Sequence, residues 1–191
     1  MTGTIRIIGG QWRGRRLRVA DVKGLRPTGD RGREALFNWL APRLNGARCL
    51  DAFAGTGALG LEALSRGAAR VVLVERDRQA AARLEAHLAT LSADPVHGSA
   101  RVVCADALAW MREPGERFDL VFLDPPFNRD LAGPALQALQ ASGLLEPAGL
   151  VYLETGTREL SALPAGWAVV RDKALGEVRM RLLESESHQP G

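Results

Sequence analysis

Four consecutive residues, Asp124-Pro125-Pro126-Phe127, place a carboxylate, two prolines and an aromatic ring directly after an apolar run at 118–123. The run predicts a buried strand, and the prolines fix φ and remove two backbone donors at its end. The carbonyls and the Asp124 carboxylate then form a group of acceptors beside an aromatic ring. This group suits a flat heterocycle with an exocyclic amino group. The alternative is a proline-stiffened turn with Phe127 in the core.

A glycine-rich loop, Asp-Ala-Phe-Ala-Gly-Thr-Gly-Ala-Leu-Gly at 51–60, follows another predicted strand and opens a helix. Glycines let a backbone turn tightly and approach a ligand, and the helix N-terminus carries partial positive charge. In an open α/β sheet, ligands bind at this edge. The spacing G-x-G-x-x-G, with Glu75 about twenty residues after Gly55, also fits a nicotinamide dinucleotide site.

Two features favour S-adenosyl-L-methionine over a dinucleotide. Asp51, four residues before Gly55, is placed to hold an ammonium group rather than a pyrophosphate, and no downstream residue resembles a hydride-transfer partner. We expect Glu75 to accept from both ribose hydroxyls. Asp106 either accepts from the adenine amino group or caps a helix at 106–112. The predicted cofactor contacts are Asp51, Phe53, Gly55, Thr56, Gly57, Glu75, Arg76, Asp106 and Ala107.

Strand and helix patterns alternate through most of the chain. Strands are predicted at 48–53, 70–75, 100–105, 117–123 and 149–154, and helices at 58–66, 77–91, 106–112 and 131–142. Near-continuous apolar strands between helices predict a parallel sheet covered on both faces. Two further strands, at 166–173 and 175–183, are predicted to pair antiparallel around Ala174–Gly176.

The amino-terminal segment is strongly basic. Residues 1–33 hold nine Lys or Arg against two Asp, a charge of +7, so the other 158 residues sum to −4. A basic arm on a mildly acidic body predicts contact with a polyanion, although a solvated arginine-rich surface is the alternative. The predicted RNA contacts are Arg6, Arg13, Arg15, Arg16, Arg18, Arg26 and Arg33.

Local structure in this arm follows from its turn residues. Strands are predicted at 5–9 and 15–19, with glycines in the turn between them and Trp12 near its tip, either stacked on a base or capping the hairpin. A helix is predicted from Thr28 or Asp30 to about Leu40, with Pro42 marking its end. Arg33 is predicted either to contact phosphate or to pair locally with Asp30 or Glu34.

Composition excludes several classes of protein. The chain of 191 residues with 46% apolar content suffices for one core, and it has no uncharged apolar run of ~18 residues that would span a membrane. No secretory pattern begins the sequence. Two cysteines and three scattered histidines predict neither a disulfide framework nor a metal site. We expect a cytoplasmic protein, a monomer, with no membrane or metal partner.

The motifs together resemble a known family. An Asp-x-Phe-x-Gly-x-Gly loop, an acid closing the second strand and Asp-Pro-Pro-Phe are similar to class I methyltransferases that act on amino groups. Segments 6–17 (Arg-Ile-Ile-Gly-Gly-Gln-Trp-Arg-Gly-Arg-Arg-Leu) and 26–40 (Arg-Pro-Thr-Gly-Asp-Arg-Gly-Arg-Glu-Ala-Leu-Phe-Asn-Trp-Leu) resemble RsmD-type enzymes, which are bacterial 16S rRNA guanine-N2 methyltransferases. The likeness covers about residues 5–183.

The resemblance implies a Rossmann-like, seven-stranded, mostly parallel sheet with an antiparallel carboxy-terminal hairpin and an amino-terminal β-hairpin. We divide the chain into a basic extension at 1–42, a methyltransferase domain at 43–184 and a disordered tail at 185–191, and the polar residues after Leu183 depart from the family pattern. The resemblance also implies that Asp124, Pro125, Pro126 and Phe127 are catalytic and that the substrate is a guanine of 16S rRNA, in the small ribosomal subunit or its assembly intermediate.

Three alternatives remain open at this stage. Adenine-N6 methyltransferases use close variants of the Asp-Pro-Pro-Phe sequence, so these four residues do not fix the base. The glycine loop leaves an NAD-dependent oxidoreductase open, and a non-catalytic ribosome-assembly protein would share the fold.

Overall fold

The computed structural model describes residues 3–19, 29–92, 98–113, 115–127, 129–159 and 162–186. The strands are β1 (Gly3–Arg6), β2 (Arg16–Val19), β3 (Arg48–Asp51), β4 (Arg70–Glu75), β5 (Ser99–Cys104), β6 (Phe118–Leu123), β7 (Leu145–Gly156), β8 (Trp167–Leu175) and β9 (Val178–Ser185). The helices are α1 (Asp30–Leu44), α2 (Ala58–Ser65), α3 (Arg78–Leu91), α4 (Ala107–Arg112) and α5 (Ala132–Ser142).

Seven strands form one sheet in the order β5-β4-β3-β6-β7-β9-β8, and β1 and β2 form a separate antiparallel hairpin. Strands β3 to β7 are parallel, whereas β9 pairs antiparallel with both β7 and β8. The predicted fold class is therefore confirmed. Because strand order reverses between β3 and β6, their carboxyl ends flank the crevice where open α/β sheets bind ligands.

The alternation of side chains along each strand builds two cores, one on each face of the sheet. On one face, Cys49, Phe122 and Tyr152 pack with α1, α2, α3 and the hairpin. On the other face, Leu50 and Val121 pack with α4 and α5. Parallel strands that are covered on both faces appear in the sequence as continuous apolar runs. These runs are why the strands could be predicted.

Several predicted boundaries were wrong: β1 and β7, for example, run over Gly3–Arg6 and Leu145–Gly156 instead of 5–9 and 149–154. Strand β3 ends at Asp51, because the chain then turns into the glycine loop. Helix α1 continues to Leu44 through Pro42. The proline removes one backbone hydrogen bond of the last turn, and burial of the Leu44 side chain offsets that loss. Strand β9 runs to Ser185, which the predicted tail had included, whereas residues 187–191 of that tail lie outside the described residues.

The amino-terminal hairpin packs directly on the core that covers one face of the large sheet. Ile5, Ile7, Trp12 and Leu17 are buried in the cluster that contains α1 and α2. Trp12 is only 3% exposed, so it has the structural role that was one of its two predicted alternatives. The basic arm is thus a docked module that shares a continuous core with the sheet.

A buried carboxylate, Glu62 of α2, fastens the hairpin. Its oxygens accept hydrogen bonds from the backbone amides of Ile8 at 2.8 Å and Gly9 at 2.7 Å. The Arg66 Nε donates to it at 2.7 Å, and the Arg33 guanidinium lies 3.8 Å away. Glu62 is fully buried, so these partners replace its hydration.

Glu62→Ala is expected to destabilise the protein by about 3–5 kcal/mol, because two amides and an arginine lose a buried partner. Urea unfolding measures the change. Glu85→Ala, at an exposed position of α3, is the matched control and is expected to stay within about 0.5 kcal/mol of wild type. Equal stabilities of the two variants would contradict the assigned role of Glu62.

Among the described residues, no helix has the length and apolar character needed to cross a bilayer.

Candidate active site

Four acidic residues lie at the carboxyl ends of four neighbouring strands. Asp51 ends β3 and Glu75 ends β4. Asp124 directly follows β6, whose last residue Leu123 pairs with Leu153 of β7, so Asp124 lies in register beside Glu154. The four side chains form a row of acidic groups across the switch point of the sheet. Such a row favours a cationic ligand.

Asp51 is almost fully buried at 1% exposure, and its Oδ2 accepts a hydrogen bond from the Gly60 amide at 2.9 Å. Burial raises the pKa of Asp51 to about 7, with a further contribution from the Glu75 charge, while the Gly60 bond opposes the shift. A cation beside Asp51 would favour its ionised form. Its predicted contact with the cofactor ammonium stays a prediction.

Glu75 holds the glycine loop from the neighbouring strand. Its Oε2 accepts from the Gly55 amide at 2.8 Å, and its Oε1 accepts from the Asp77 amide at 2.7 Å. Each carboxylate oxygen keeps a second lone pair that can accept from a ribose hydroxyl. Glu75 therefore fixes the loop and remains compatible with its predicted ligand role.

The loop itself has a backbone that requires glycine. Gly55 and Gly57 have φ values of 51° and 79°, and Gly57 is the N-cap of α2. A Cβ at Gly57 would lie 2.5 Å from the Leu84 side chain, so both φ and packing exclude larger residues. Phe53 and Thr56 are half-buried beside this turn.

The remaining predicted cofactor contacts lie at the ends of β4 and β5. Asp106 is the N-cap of α4, and its Oδ1 accepts from the Ala109 amide at 3.0 Å, so the structure contains the capping alternative. Asp106 is exposed, and its adenine contact stays a prediction. Ala107 is buried at the start of α4, and Arg76 is exposed beside Glu75.

Asp124 is half-buried at the mouth of the crevice. Within the described part of the chain, its carboxylate has neither a hydrogen bond nor an ion-pair partner. Burial, followed by the charges of Glu154 and Asp51, raises the pKa of Asp124 well above its usual range. A desolvated carboxylate beside other acids has a raised affinity for protons, which is a property of catalytic bases.

Glu154 was not predicted as a site residue. It is 1% exposed within β7, and the Tyr152 hydroxyl donates to its Oε2 at 2.5 Å. Tyr152 packs edge-on against Phe122, with ring centroids 6.5 Å apart. Phe122 precedes Asp124 by two residues in the chain. The signal in the sequence was an acidic residue that closes the predicted strand at 149–154, as Glu75 closes the strand at 70–75.

The other residues of the Asp-Pro-Pro-Phe sequence differ in exposure. Pro125 is buried, Pro126 is exposed and Phe127 is half-buried, so the alternative of Phe127 as a core residue does not describe this structure. Pro125 and Pro126 line a cavity of about 210 Å³. Its other walls come from residues 130–134 at the start of α5 and from Glu159.

The predicted RNA-binding arginines fall into two groups. Arg13, Arg15, Arg16 and Arg18 are exposed on the hairpin, and Arg6 is exposed while pairing with Asp30 at 3.2 Å.

Arg33 belongs to the second group, because it is only 3% exposed. Its Nη2 donates to the Arg6 carbonyl at 2.8 Å and to Asp30 at 2.7 Å. Of the two predicted roles of Arg33, the structure shows the local ion pair with Asp30. The prediction that Arg33 contacts phosphate is corrected accordingly. Arg26 lies outside the described residues.

No group of three or more His, Cys, Asp or Glu side chains suited to a metal ion occurs within the described ranges.

The sheet order, the glycine loop at the switch point and the strand-end acids define a class I methyltransferase. A model of the family described as "Conserved hypothetical protein 95" matches residues 5–184. The chain therefore belongs to this family, the RsmD family, and the suspected resemblance is confirmed.

Relatives of named function and solved structures agree with this assignment. "Ribosomal RNA small subunit methyltransferase D" of Escherichia coli (strain K12) is 49% identical over 97% of this chain and 92% of its own length. The protein of the same name from Haemophilus influenzae is 43% identical over 96% of this chain and 95% of its own length. The structure described as "Putative methyltransferase yhhF from Escherichia coli" superposes with a TM-score of 0.87 at 47% identity, covering 97% of this chain and 99% of that one.

Glu75→Ala is expected to raise the Kd of S-adenosylhomocysteine by about 10–100-fold, since hydrogen bonds to a charged group contribute about 1.5–3 kcal/mol. Calorimetry measures the change. Glu75→Gln keeps one acceptor oxygen and is expected to show a smaller increase. An unchanged Kd for the alanine variant would remove Glu75 from the cofactor site.

Proposed function

We propose that this methyltransferase transfers the methyl group of S-adenosyl-L-methionine to the N2 amine of a guanine in 16S rRNA. The observation that carries the proposal is the Asp124 carboxylate at the switch point, which is desolvated and lacks a partner among the described residues. It lies one strand away from the glycine loop, so a methyl donor bound at the loop and an amine bound at Asp124 would meet in the crevice.

The acceptors at Asp124 suit the chemistry of an aromatic amine. The N2 lone pair of guanine is delocalised into the ring, so the amine is a weak nucleophile. Asp124 accepts one N–H and the Pro125 carbonyl accepts the other. These two bonds favour a pyramidal nitrogen whose lone pair points at the sulfonium methyl group.

Transfer is then an in-line displacement. When bound, S-adenosyl-L-methionine would supply an electrophilic methyl group and would leave as a neutral thioether once that methyl group is bonded to nitrogen. Asp124 would take the proton that the nitrogen releases. Holding the two reactants close and aligned supplies up to ~7–11 kcal/mol in well-oriented systems. The glycine loop, braced by Asp51 and Glu75, supplies that alignment for the cofactor.

The target base must leave its stack to reach the crevice, because a paired base cannot present its amine to Asp124. Phe127 is half-buried three residues after Asp124, and we expect it to stack on the base, a contact contributing ~1–3 kcal/mol in single-strand binders. The exposed hairpin arginines hold phosphates and supply affinity that depends on salt and not on sequence.

The names of the two relatives point to the small ribosomal subunit as the context of the target guanine. We extend this to a substrate presented on the assembled or assembling subunit, modified by a cytoplasmic monomer. An adenine-N6 methyltransferase would use the same hydrogen-bond acceptors. The methylated nucleoside in the product therefore distinguishes the two activities.

Labelled S-adenosyl-L-methionine offered to undermethylated small subunits and to naked 16S rRNA tests the proposal. We expect label in subunits, in N2-methylguanine at one position, with much less label in naked RNA. N6-methyladenine would support the adenine alternative. Absence of transfer to either RNA would indicate a non-catalytic assembly protein.

A further inference from the structure

The cavity beside the Asp-Pro-Pro-Phe sequence contains two carboxylates that methyl transfer does not use. Pro125 and Pro126 form one side of this space of about 210 Å³, and Asp130 and Glu159 line other parts of it. A flipped base is held in a close-fitting pocket that reads its hydrogen-bonding edge. The cavity adjoins the proposed amine site, because Pro125, whose carbonyl we propose accepts an N2 hydrogen, is one of its lining residues.

Glu159 is held in place by the turn that follows β7. Its Oε2 accepts from the Gly156 amide at 3.2 Å, and its own amide donates to the Gly156 carbonyl at 3.0 Å. A Cβ at Gly156 would lie 3.3 Å from the Glu159 carboxyl carbon, so the side chain packs closely over that glycine. Glu159 is half-buried, which limits the water available to compete for its carboxylate.

Asp130 differs from Glu159 although it lines the same cavity. It is exposed, and its φ of 47° is the single positive value at a non-glycine residue within the described ranges. Aspartate tolerates this conformation in turns, which explains its presence at the start of α5. Water solvates an exposed carboxylate, so Asp130 discriminates weakly between bases.

We infer that Glu159 accepts the N1–H of the target guanine and thereby selects guanine over adenine. The inference rests on the proposed function and adds a specificity residue to it. If Asp124 and Pro125 accept the two N2 hydrogens, the adjacent N1–H needs an acceptor of its own. Adenine has an unprotonated N1, which would place a lone pair against the carboxylate.

A base analogue separates this contact from methyl transfer itself. 2-Aminopurine keeps the 2-amino group but has no hydrogen on N1. Small subunits are assembled with 16S rRNA that carries either guanine or 2-aminopurine at the position that the wild-type enzyme modifies, and single-turnover methylation rates are measured. A site built to bond an N–H rejects an analogue that lacks it, so we expect wild type to prefer guanine by at least about 100-fold.

Glu159→Gln is expected to reduce this preference to below about tenfold, because its amide can donate to the bare N1 of 2-aminopurine while its oxygen still accepts from Gly156. Glu159→Ala is expected to slow guanine by about 100-fold and 2-aminopurine far less. Comparing the substrate ratio of each variant with that of wild type cancels the different intrinsic reactivities of the two bases. Asp130→Asn removes the same charge from the same cavity and is expected to keep the wild-type ratio.

An unchanged ratio in Glu159→Gln, or an equal loss on both substrates in Glu159→Ala, would overturn the assignment. A changed ratio in Asp130→Asn alone would also overturn it. Failure of the wild-type enzyme to methylate guanine-bearing subunits would instead overturn the proposed function, and the specificity role with it.

Discussion

Asp124→Ala is expected to slow methyl transfer by about 10²–10⁴-fold, the range that a positioned general base contributes, while cofactor affinity stays near wild type. The variant removes both an acceptor for the amine and the base that takes its proton. Single-turnover labelling of subunits measures transfer, and calorimetry with S-adenosylhomocysteine measures the cofactor. Transfer near the wild-type rate would contradict the proposed mechanism.

Asp124→Asn separates the two roles of the carboxylate. It keeps an acceptor oxygen but cannot take a proton, so we expect a rate between those of wild type and the alanine variant. The ionised form of Asp124 is the active one, and its pKa is raised. The wild-type rate should therefore rise with pH until it passes that pKa and then level off, whereas Asp124→Asn should show no such rise.

The free energy of unfolding serves as a control for misfolding of the Asp124 variants. A carboxyl whose pKa is raised by folding stabilises the folded state below its unfolded pKa, and that stability is lost as pH rises through the folded pKa. At neutral pH, replacing Asp124 should leave the protein at least as stable as wild type. A loss of activity together with a loss of stability would point to unfolding.

Charge reversal of Arg13, Arg15 and Arg16 has the second large expected effect, on RNA affinity. These side chains are exposed on a hairpin that Glu62 fixes to the body. If each contacts one phosphate, the slope of log affinity against log salt should fall by roughly 2. Affinity at low salt should fall by more than tenfold, with cofactor binding unchanged.

The matched control is charge reversal of three exposed arginines elsewhere, Arg83, Arg112 and Arg171. Its net charge change is the same, so only a localised contact distinguishes the two triple variants. Filter binding to small subunits over a range of salt concentrations measures both. Equal slopes for the two variants would show that the hairpin does not contact phosphate.

The sequence predicted the elements at the switch point of the sheet well, because their signals are local. The glycines at 55 and 57 require positive φ, and the prolines after Leu123 stop a strand, so each motif marks its own place in the fold. Apolar runs between helices predicted the parallel sheet for the same reason. The antiparallel carboxy-terminal pair was also recognisable from its turn.

Local sequence signals could not predict contacts between segments that are distant in the chain. Nothing near Glu62 in the chain indicates that it accepts hydrogen bonds from Ile8 and Gly9, 54 and 53 residues earlier. Arg33 illustrates the same limit, because only the fold shows that it is buried against the hairpin and cannot reach RNA. Glu154 gains its importance from lying in register beside Asp124.

A crystal structure of the enzyme with S-adenosylhomocysteine bound is the most direct measurement. We predict that the Asp124 carboxylate and the Pro125 carbonyl face the thioether sulfur across a gap wide enough for a methyl group and a planar base. A carboxylate turned away from the sulfur, or engaged by an arginine in the complex, would contradict the account.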